Sequence, residues 1–273
     1  MRLPVLYSIE DVHYAYPRYP ESLSGVTFAV NSGERVVLLG ANGSGKSTLL
    51  HLMNGLYYPT QGQITVMSRA LTENALEQTD FGPRFRKEVG FLFQNSDAQL
   101  FCPTVEEEIA FAPLQLRLPK DEIRRRIEDT LTLLNLEALR ERPPQTLSAG
   151  QKKRVALASL LAVSPSVLLL DEPTAGLDPR SQHVLLDLLD QLAAAGVTLI
   201  TATHDLALVP HLADRALVLS EEHRLVADRG AQDVLSDTEL LLSVNLIHAH
   251  AHKHAGLVHV HPHQHVVAHD HEH

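Results

Sequence analysis

A single cysteine, Cys102, is all that this 273-residue sequence offers for disulfide chemistry. An intrachain disulfide is therefore excluded, and the chain suits a reducing compartment. No apolar run approaches the ~18 residues of a membrane span. The first residues, Met1 to Tyr7, lack the apolar core and cleavage site of a secretory leader. Together these features predict a cytosolic chain with no membrane span of its own. Positive charge is also in deficit: 23 Lys and Arg face 33 Asp and Glu, a net charge of -10. A basic footprint for nucleic acid is thus missing. What the sequence has in quantity is apolar residues, 44% of the total, enough to bury a core in one large or two modest domains. It also has 17 histidines, crowded toward the C-terminus.

The stretch Gly40-Ala41-Asn42-Gly43-Ser44-Gly45-Lys46-Ser47-Thr48 fits G-x-x-x-x-G-K-[ST], a phosphate-binding loop. An apolar, β-branched strand precedes it, Arg35 to Leu39. A helix follows, Thr48 to Asn54, with Gly55 as its stop. The glycines let the backbone curl so that successive N–H groups face a phosphate, and the helix N-terminus adds partial positive charge. Lys46 is placed to reach the β- and γ-phosphates, and the Ser47 hydroxyl to ligate Mg²⁺. A chance glycine turn would not come with both the strand and the helix.

Residues 6–14 and 26–30 read as strands, split by the turn-rich Tyr16 to Pro20. Gln63 to Val66 and Val89 to Phe93 read as further strands, with residues 68–88 as a loop holding a short helix. From 104 to about 163 the pattern turns helical. Thr104 and Glu107 form a capping box, and Ile123, Ile127, Leu131 and Leu134 keep helical spacing. Ser148 caps a helix running to Val163. Strand signals return at Val167 to Leu170, Val197 to Thr201 and Ala216 to Leu219. Helices alternate with them at Ser181 to Ala195 and Leu206 to Leu212. This alternation predicts an α/β fold with a mostly parallel, covered sheet, into which the helical block is inserted. The expected division is 1–94 with 166–229 as nucleotide-binding core, 95–165 as helical subdomain, and 230–273 as a C-terminal segment.

Two more clusters carry chemistry. Val167 to Leu170 ends in Asp171-Glu172. At a strand tip beside a phosphate loop, Asp171 suits Mg²⁺, and Glu172 could orient and deprotonate an attacking water. Alone, the pair would be an acidic turn. Ser148 and the free N–H groups behind it form an anion site, although a capping serine alone is commonplace.

Taken in order, Gly40 to Thr48, Gln94, Leu147 to Gln151, Leu170 to Pro173, Ala175 to Asp178 and His204 resemble the motif set of an ATP-binding-cassette (ABC) ATPase over roughly residues 6–230. In that family's terms they correspond to the Walker A, Q-loop, signature, Walker B, D-loop and switch histidine. The resemblance implies a RecA-like P-loop NTPase core, an antiparallel β part near the N-terminus and an inserted helical subdomain. It also implies Mg²⁺-dependent ATP hydrolysis. Tyr16 falls where the family stacks an aromatic on adenine, the alternative being a half-buried loop tyrosine. ATP would lie between Gly40, Asn42, Gly43, Ser44, Gly45, Lys46, Ser47 and Thr48 of one chain and Ser148 and Gly150 of another, with Asp178 at the junction. A homodimer is the simplest arrangement. Gln94 would touch Mg²⁺ or the lytic water, and Lys46, Glu172 and His204 would surround the γ-phosphate. Ala149 departs from the commoner glycine of the signature.

Phe93 to Phe101 followed by Ala110 to Pro113 narrows the resemblance to the energy-coupling-factor (ECF) ATPases, which power importers of vitamins, cobalt and nickel; Ser96 stands where that group usually has proline. The implied setting is the cytoplasmic face of the cell membrane, peripheral, on a transmembrane ECF-type subunit docked at residues 95–115, with no nucleic acid involved. A soluble ABC ATPase of repair or translation would show two cassettes, long coiled-coil arms or a basic surface.

The tail carries His248, His250, His252, His254, His259, His261, His263 and His265, then His269, His271 and His273. Imidazole is a good ligand for Ni, Co, Cu and Zn, and His-x-His spacing brings alternate side chains together in extended chain. Ala and Val between them form no core, so disorder is expected without metal. Ni²⁺ or Co²⁺ is the expected ligand and nickel or cobalt the expected cargo. A purification tag, a pH-responsive or solvating tail, and metal buffering unrelated to transport are the alternatives.

Overall fold

The computed structural model describes residues 4–78, 80–254 and 257–264, the backbone alone beyond Ile247. In chain order the elements are β1 (Val5–Ala15), β2 (Glu21–Asn31), β3 (Arg35–Leu39), α1 (Lys46–Met53), β4 (Gln61–Val66), β5 (Arg69–Ala70), α2 (Glu73–Glu77), α3 (Phe81–Glu88) and β6 (Val89–Leu92). The helical block follows as α4 (Val105–Gln115), α5 (Lys120–Leu133) and α6 (Ala149–Leu161). Then come β7 (Val167–Asp171), α7 (Pro179–Ala194), β8 (Thr198–Ala202), α8 (Val209–Leu212), β9 (Arg215–Leu219), β10 (Leu225–Gly230), α9 (Ala231–Ser236), α10 (Thr238–Ser243), β11 (Ile247–His254) and β12 (Leu257–Gln264).

A six-stranded sheet in the order β10-β9-β3-β8-β7-β6 forms the centre. Within it β6, β7, β8, β3 and β9 run parallel, and β10 joins antiparallel to β9. The smaller sheet, β2-β1-β4-β5, is antiparallel, as expected for the N-terminal part.

Both faces of the central sheet are buried, and the alternation of side chains along each strand shows it. Along β7, Val167 and Leu169 enter the core shared with the antiparallel sheet, while Leu168 and Leu170 enter the core of the helical block. Along β3, Val36 and Leu38 face the first core; Val37 and Leu39 face a third, built with α8, α9 and α10. The helical block has no core of its own. Val105, Ile109, Ile123, Ile127, Leu131 and Val155 pack in one cluster with Leu168, Leu170 and Leu199 of the sheet. Thr104 accepts from the Glu107 amide as expected, but Glu107 does not return the bond of a capping box; Ser148, expected as a cap, forms a reciprocal capping box with Gln151.

Two segments differ from expectation. Residues 68–88 hold two helices rather than a loop with one. Phe81 and Phe85, four residues apart, anchor α3 through their buried side chains. Gly82 lies inside it because a Cβ there would sit 2.0 Å from the Leu76 carbonyl oxygen. The His-rich tail, expected to be disordered without metal, pairs β11 with β12 in an antiparallel ribbon. The same period-two alternation that was read as chelating chain is the period of a strand, and Val258 and Val260 favour it. His265 and the histidines after it lie outside the described residues.

Leu246 and Ile247 are buried against Val234, Leu241 and Val244. The folded core therefore extends past Asn245. A chain ending after Ile247 should unfold in urea at the same midpoint as the full chain. One ending at Asn245 should lose roughly 2–5 kcal/mol, the cost of removing a large buried aliphatic side chain.

Candidate functional site

Three neighbouring parallel strands, β3, β8 and β7, bring their carboxyl ends together, and each delivers part of the site. After β3 the glycine loop turns into α1. Gly40, at φ 156°, has no room for a side chain: a Cβ would lie 2.4 Å from Ser44 Oγ and 2.6 Å from the Leu219 carbonyl oxygen. Gly45, at φ 107°, passes equally close to the Ser22 carbonyl. Lys46 is 6% exposed, and its Nζ donates to the carbonyls of Gly40 at 2.8 Å and Ala41 at 3.1 Å. Burial lowers the Lys46 pKa, while Glu172 and Asp171 work the other way.

Asp171 ends β7 and is 4% exposed. Burial raises its pKa; the Ser47 hydroxyl, hydrogen-bonded to it, His51 and Lys46 oppose the rise, and Glu172 adds to it. Its Oδ1 has no hydrogen-bond partner, and neither has the buried Ser44 Oγ inside the loop. A buried unpaired carboxylate oxygen beside a serine hydroxyl fits as part of the octahedral oxygen set of a Mg²⁺ ion, the remainder coming from phosphate and water, and an unpaired hydroxyl inside the glycine loop fits a phosphate.

Glu172 follows at φ 44°, a conformation that costs a non-glycine residue energy and that clusters at functional sites. It is 6% exposed and held at both oxygens. Thr203 Oγ1 donates to Oε2 at 3.1 Å, and His204 Nδ1 lies 2.7 Å from Oε1. An ionised carboxylate can only accept, so Nδ1 carries the hydrogen and Nε2 is left for a ligand. Each Glu172 oxygen keeps a second lone pair. Thr203 in turn accepts from the Asp205 amide, which fixes the end of β8.

Tyr16, Asn42, Gly43, Gly45, Lys46, Ser47, Thr48, Gln94 and Glu172 line one cleft of about 340 Å³. Tyr16 donates to or accepts from Thr48 Oγ1 at 3.2 Å and stands edge-on to Tyr14 and Tyr57. Of the residues expected at the site, Gly40, Ser44, Asp171 and His204 do not line this cleft themselves but belong to the loop or touch Ser47 and Glu172, which do; Ser148, Gly150 and Asp178 do not line it either. Gly150 and Asp178 approach each other elsewhere through Ser181: a Cβ on Gly150 would lie 3.0 Å from Ser181 Oγ, which donates to Asp178. Asp178 caps α7, and the Ser181 hydroxyl and amide hold its pKa down.

Lys153 is a site residue that sequence reasoning missed. It is 4% exposed, and its Nζ donates to the Gln94 carbonyl at 2.8 Å. Burial lowers its pKa, against the attraction of Asp171 and Glu172. The signal was in the helix phase: Lys153, Ala156 and Leu157 share the buried face of α6, so the central lysine of Lys152-Lys153-Arg154 is not a solvated charge. His51 was missed as well. It packs edge-on between Tyr57 and Phe91, and burial depresses its pKa.

Residues 23–175 match the family described as ABC transporter. The chain is 46% identical to the nickel import ATP-binding protein NikO of Rhodobacter capsulatus over 88% of this chain and 95% of that protein. It is 41% identical to the energy-coupling factor transporter ATP-binding protein EcfA of Methanocaldococcus jannaschii, over 88% and 85%. Among solved structures, cbiO1 of Clostridium perfringens, part of the ABC transporter complex cbiONQ, superposes with a TM-score of 0.75 at 35% identity, covering 89% of this chain and 95% of that one.

The buried Asp171 carboxylate destabilises the fold at neutral pH. Its folded-state pKa is raised, so the folded chain holds the proton more tightly than the unfolded one; the penalty is present above that pKa and disappears as pH falls through it. Asp171→Asn should therefore raise the melting temperature of nucleotide-free protein near neutral pH by roughly 2–4 °C, the shift about 1 kcal/mol gives a chain of this size. The gain should vanish in acid. The same variant should lose Mg²⁺-dependent ATP hydrolysis.

Proposed function

This chain belongs to the ABC transporter family as an ATP-hydrolysing subunit of the energy-coupling-factor type, and from that membership we propose that it powers import of nickel or cobalt ions. The likeness to a chain named for nickel import carries the choice of substrate, and the cbiO1 likeness supports it. Among the described residues no helix is long and apolar enough to cross a membrane, which suits a subunit that relies on a membrane partner.

In this reading Ser47 and Asp171 would hold Mg²⁺, and Gln94, which lines the same cleft, would touch the ion or the lytic water. When bound, Mg²⁺ neutralises charge on the phosphate oxygens. Lys46 moves its ammonium from the loop carbonyls to the β- and γ-phosphates, aided by the amides of residues 42–48. Glu172 accepts the proton of the attacking water through a free lone pair. Thr203 and His204 keep its carboxylate from turning away, and His204 Nε2 contacts the γ-phosphate. Tyr16 stacks on adenine. Ser148 and Gly150, absent from the cleft of their own chain, complete the site of a second copy, with Asp178 at the junction. That separation supports pairing with a second chain, and a homodimer is the simplest choice.

The membrane partner docks where apolar surface is exposed. Phe101 is 61% and Leu114 57% exposed, and the Phe101 ring stands edge-on to Phe111 at 4.8 Å. Glu108, itself 3% exposed, accepts from the amides of Phe101 and Cys102 and so fixes this loop. A face of this kind, next to Gln94, could carry nucleotide state to a transmembrane subunit.

Glu172→Gln should reduce turnover by ~10²–10⁴, the usual contribution of a general base. ATP binding should survive, and light scattering should show an ATP-dependent dimer. Ser148→Arg added to it should leave a monomer, since a bulky cation would occupy the partner's γ-phosphate site. Near-normal turnover of Glu172→Gln would assign the base elsewhere.

Uptake of radioactive nickel or cobalt into cells expressing the whole transporter tests the substrate. Entry of either ion, dependent on Lys46, is expected. Entry of a vitamin instead would overturn the metal assignment and leave the ATPase intact.

A further inference from the structure

The hydrolytic set makes no use of the ribbon formed by β11 and β12. Its register sets His248 opposite His263, His250 opposite His261 and His252 opposite His259. Directly opposed residues of an antiparallel pair share a face of the ribbon, and so do residues two apart along a strand. All seven histidines between 248 and 263 therefore share one face, while the alanines and valines between them and Lys253 share the other. A chelating run of chain would need only the His-x-His spacing; the register adds a second strand of imidazoles in step with the first.

We propose that this face is a transition-metal site of the ATPase chain itself, centred on the neighbouring register positions His250/His261 and His252/His259. Opposed Cβ atoms in such a pair lie about 5 Å apart, and strand neighbours about 7 Å. Four histidines at such positions are twice as many as a His-x-His pair on a single strand offers. Neutral imidazole selects the Ni, Co, Cu and Zn class over Mg or Ca. Lys253, the one charged residue among 247–264, belongs to the opposite face. Up to Ile247 the described residues bring together no group of three or more His, Cys, Asp or Glu able to hold a metal, so the ribbon has no competitor there. A lone two-stranded ribbon is marginal in water, and metal ligation and strand pairing are therefore linked.

The test is calorimetric titration of Ni²⁺ into the full chain and into two variants that lose equal numbers of histidines. One replaces His250, His252, His259 and His261 by Ala; the other replaces His248, His254, His263 and His265. Loss of the central four should weaken Ni²⁺ binding by about tenfold or more, and loss of the outer four by much less. Ni²⁺ should also slow hydrogen exchange of the 248–264 amides in the full chain and not in the central variant. Equal weakening by both variants, or unchanged exchange, would overturn the cross-strand site in favour of composition alone. Neither variant reaches the core, which ends at Ile247, so metal-free melting temperatures should match. Failure of nickel or cobalt uptake in cells would leave this binding result standing.

Discussion

Four charged groups are held out of water at the carboxyl ends of three adjacent strands, and the rest of the fold is arranged around that constraint. Lys46 and Lys153 are 6% and 4% exposed; Asp171 and Glu172 are 4% and 6%. Any one of them alone in such a place would neutralise or unfold its surroundings. Together their formal charges cancel, and each has a partner from a different element: the loop carbonyls for Lys46, the Gln94 carbonyl for Lys153, Ser47 for Asp171, Thr203 and His204 for Glu172. The parallel order β3-β8-β7 makes this possible, because the three strands end side by side at the same edge. What the arrangement leaves unpaired, Asp171 Oδ1 and Ser44 Oγ, lies where the proposed mechanism needs Mg²⁺ and phosphate. Stability is given up at the point where the ligand restores it.

Local chemistry made most of the site legible. The glycine loop, the strand tip and the capping serine are each encoded within a few residues, and the geometry gathers Tyr16, the loop, Gln94, Glu172 and His204 into one place. What stayed illegible depends on helix phase or on long-range pairing. Lys153 reads as part of a charge run until its position on the buried face of α6 is known. Thr203 looks like an ordinary strand-end threonine until Glu172 is seen 31 residues back in sequence and one strand over. In α3 a Gly-Pro pair that would break most helices lies in the first turn, where proline costs no hydrogen bond and glycine avoids the Leu76 carbonyl. The ribbon was hidden for a different reason. Period-two alternation was recognised in the tail, but a register between two such stretches cannot be read from either one.

Two departures from the family pattern have opposite surroundings. Ala149 replaces a glycine at the first position of α6 and is exposed, so within the chain its methyl group meets no obstacle. Its neighbour Gly150 is different, because a Cβ there would press on Ser181 Oγ at 3.0 Å and so disturb the hydroxyl that holds Asp178. A side chain at position 150 would need the Ser181 hydroxyl to give way by a few tenths of an ångström, a demand the exposed position 149 does not make. Ser96 is 7% exposed with an unpartnered hydroxyl, in a short turn capped by Asn95. It leaves a buried polar atom where proline would leave none, and nothing in the structure explains it.

The region after Gln94 is tied to the signature helix at two points. Lys153 of α6 donates to the Gln94 carbonyl, and Lys152 pairs with Asp97 at 2.6 Å. Further on, Glu108 of α4 gathers the Phe101 and Cys102 amides, so the exposed aromatic face rests on a buried carboxylate rather than on a free loop. The helix proposed to meet a partner's nucleotide, the glutamine that lines the chain's own cleft and the exposed apolar face are thereby linked through the side chains of Lys152, Lys153 and Glu108, the last two of them buried. Such contacts are discrete: a buried lysine without its carbonyl, or a buried glutamate without its amides, is costly. Small motions of α6 on closure would therefore carry Gln94 and the loop after it together instead of being absorbed between them, which is the mechanical property a transport ATPase requires.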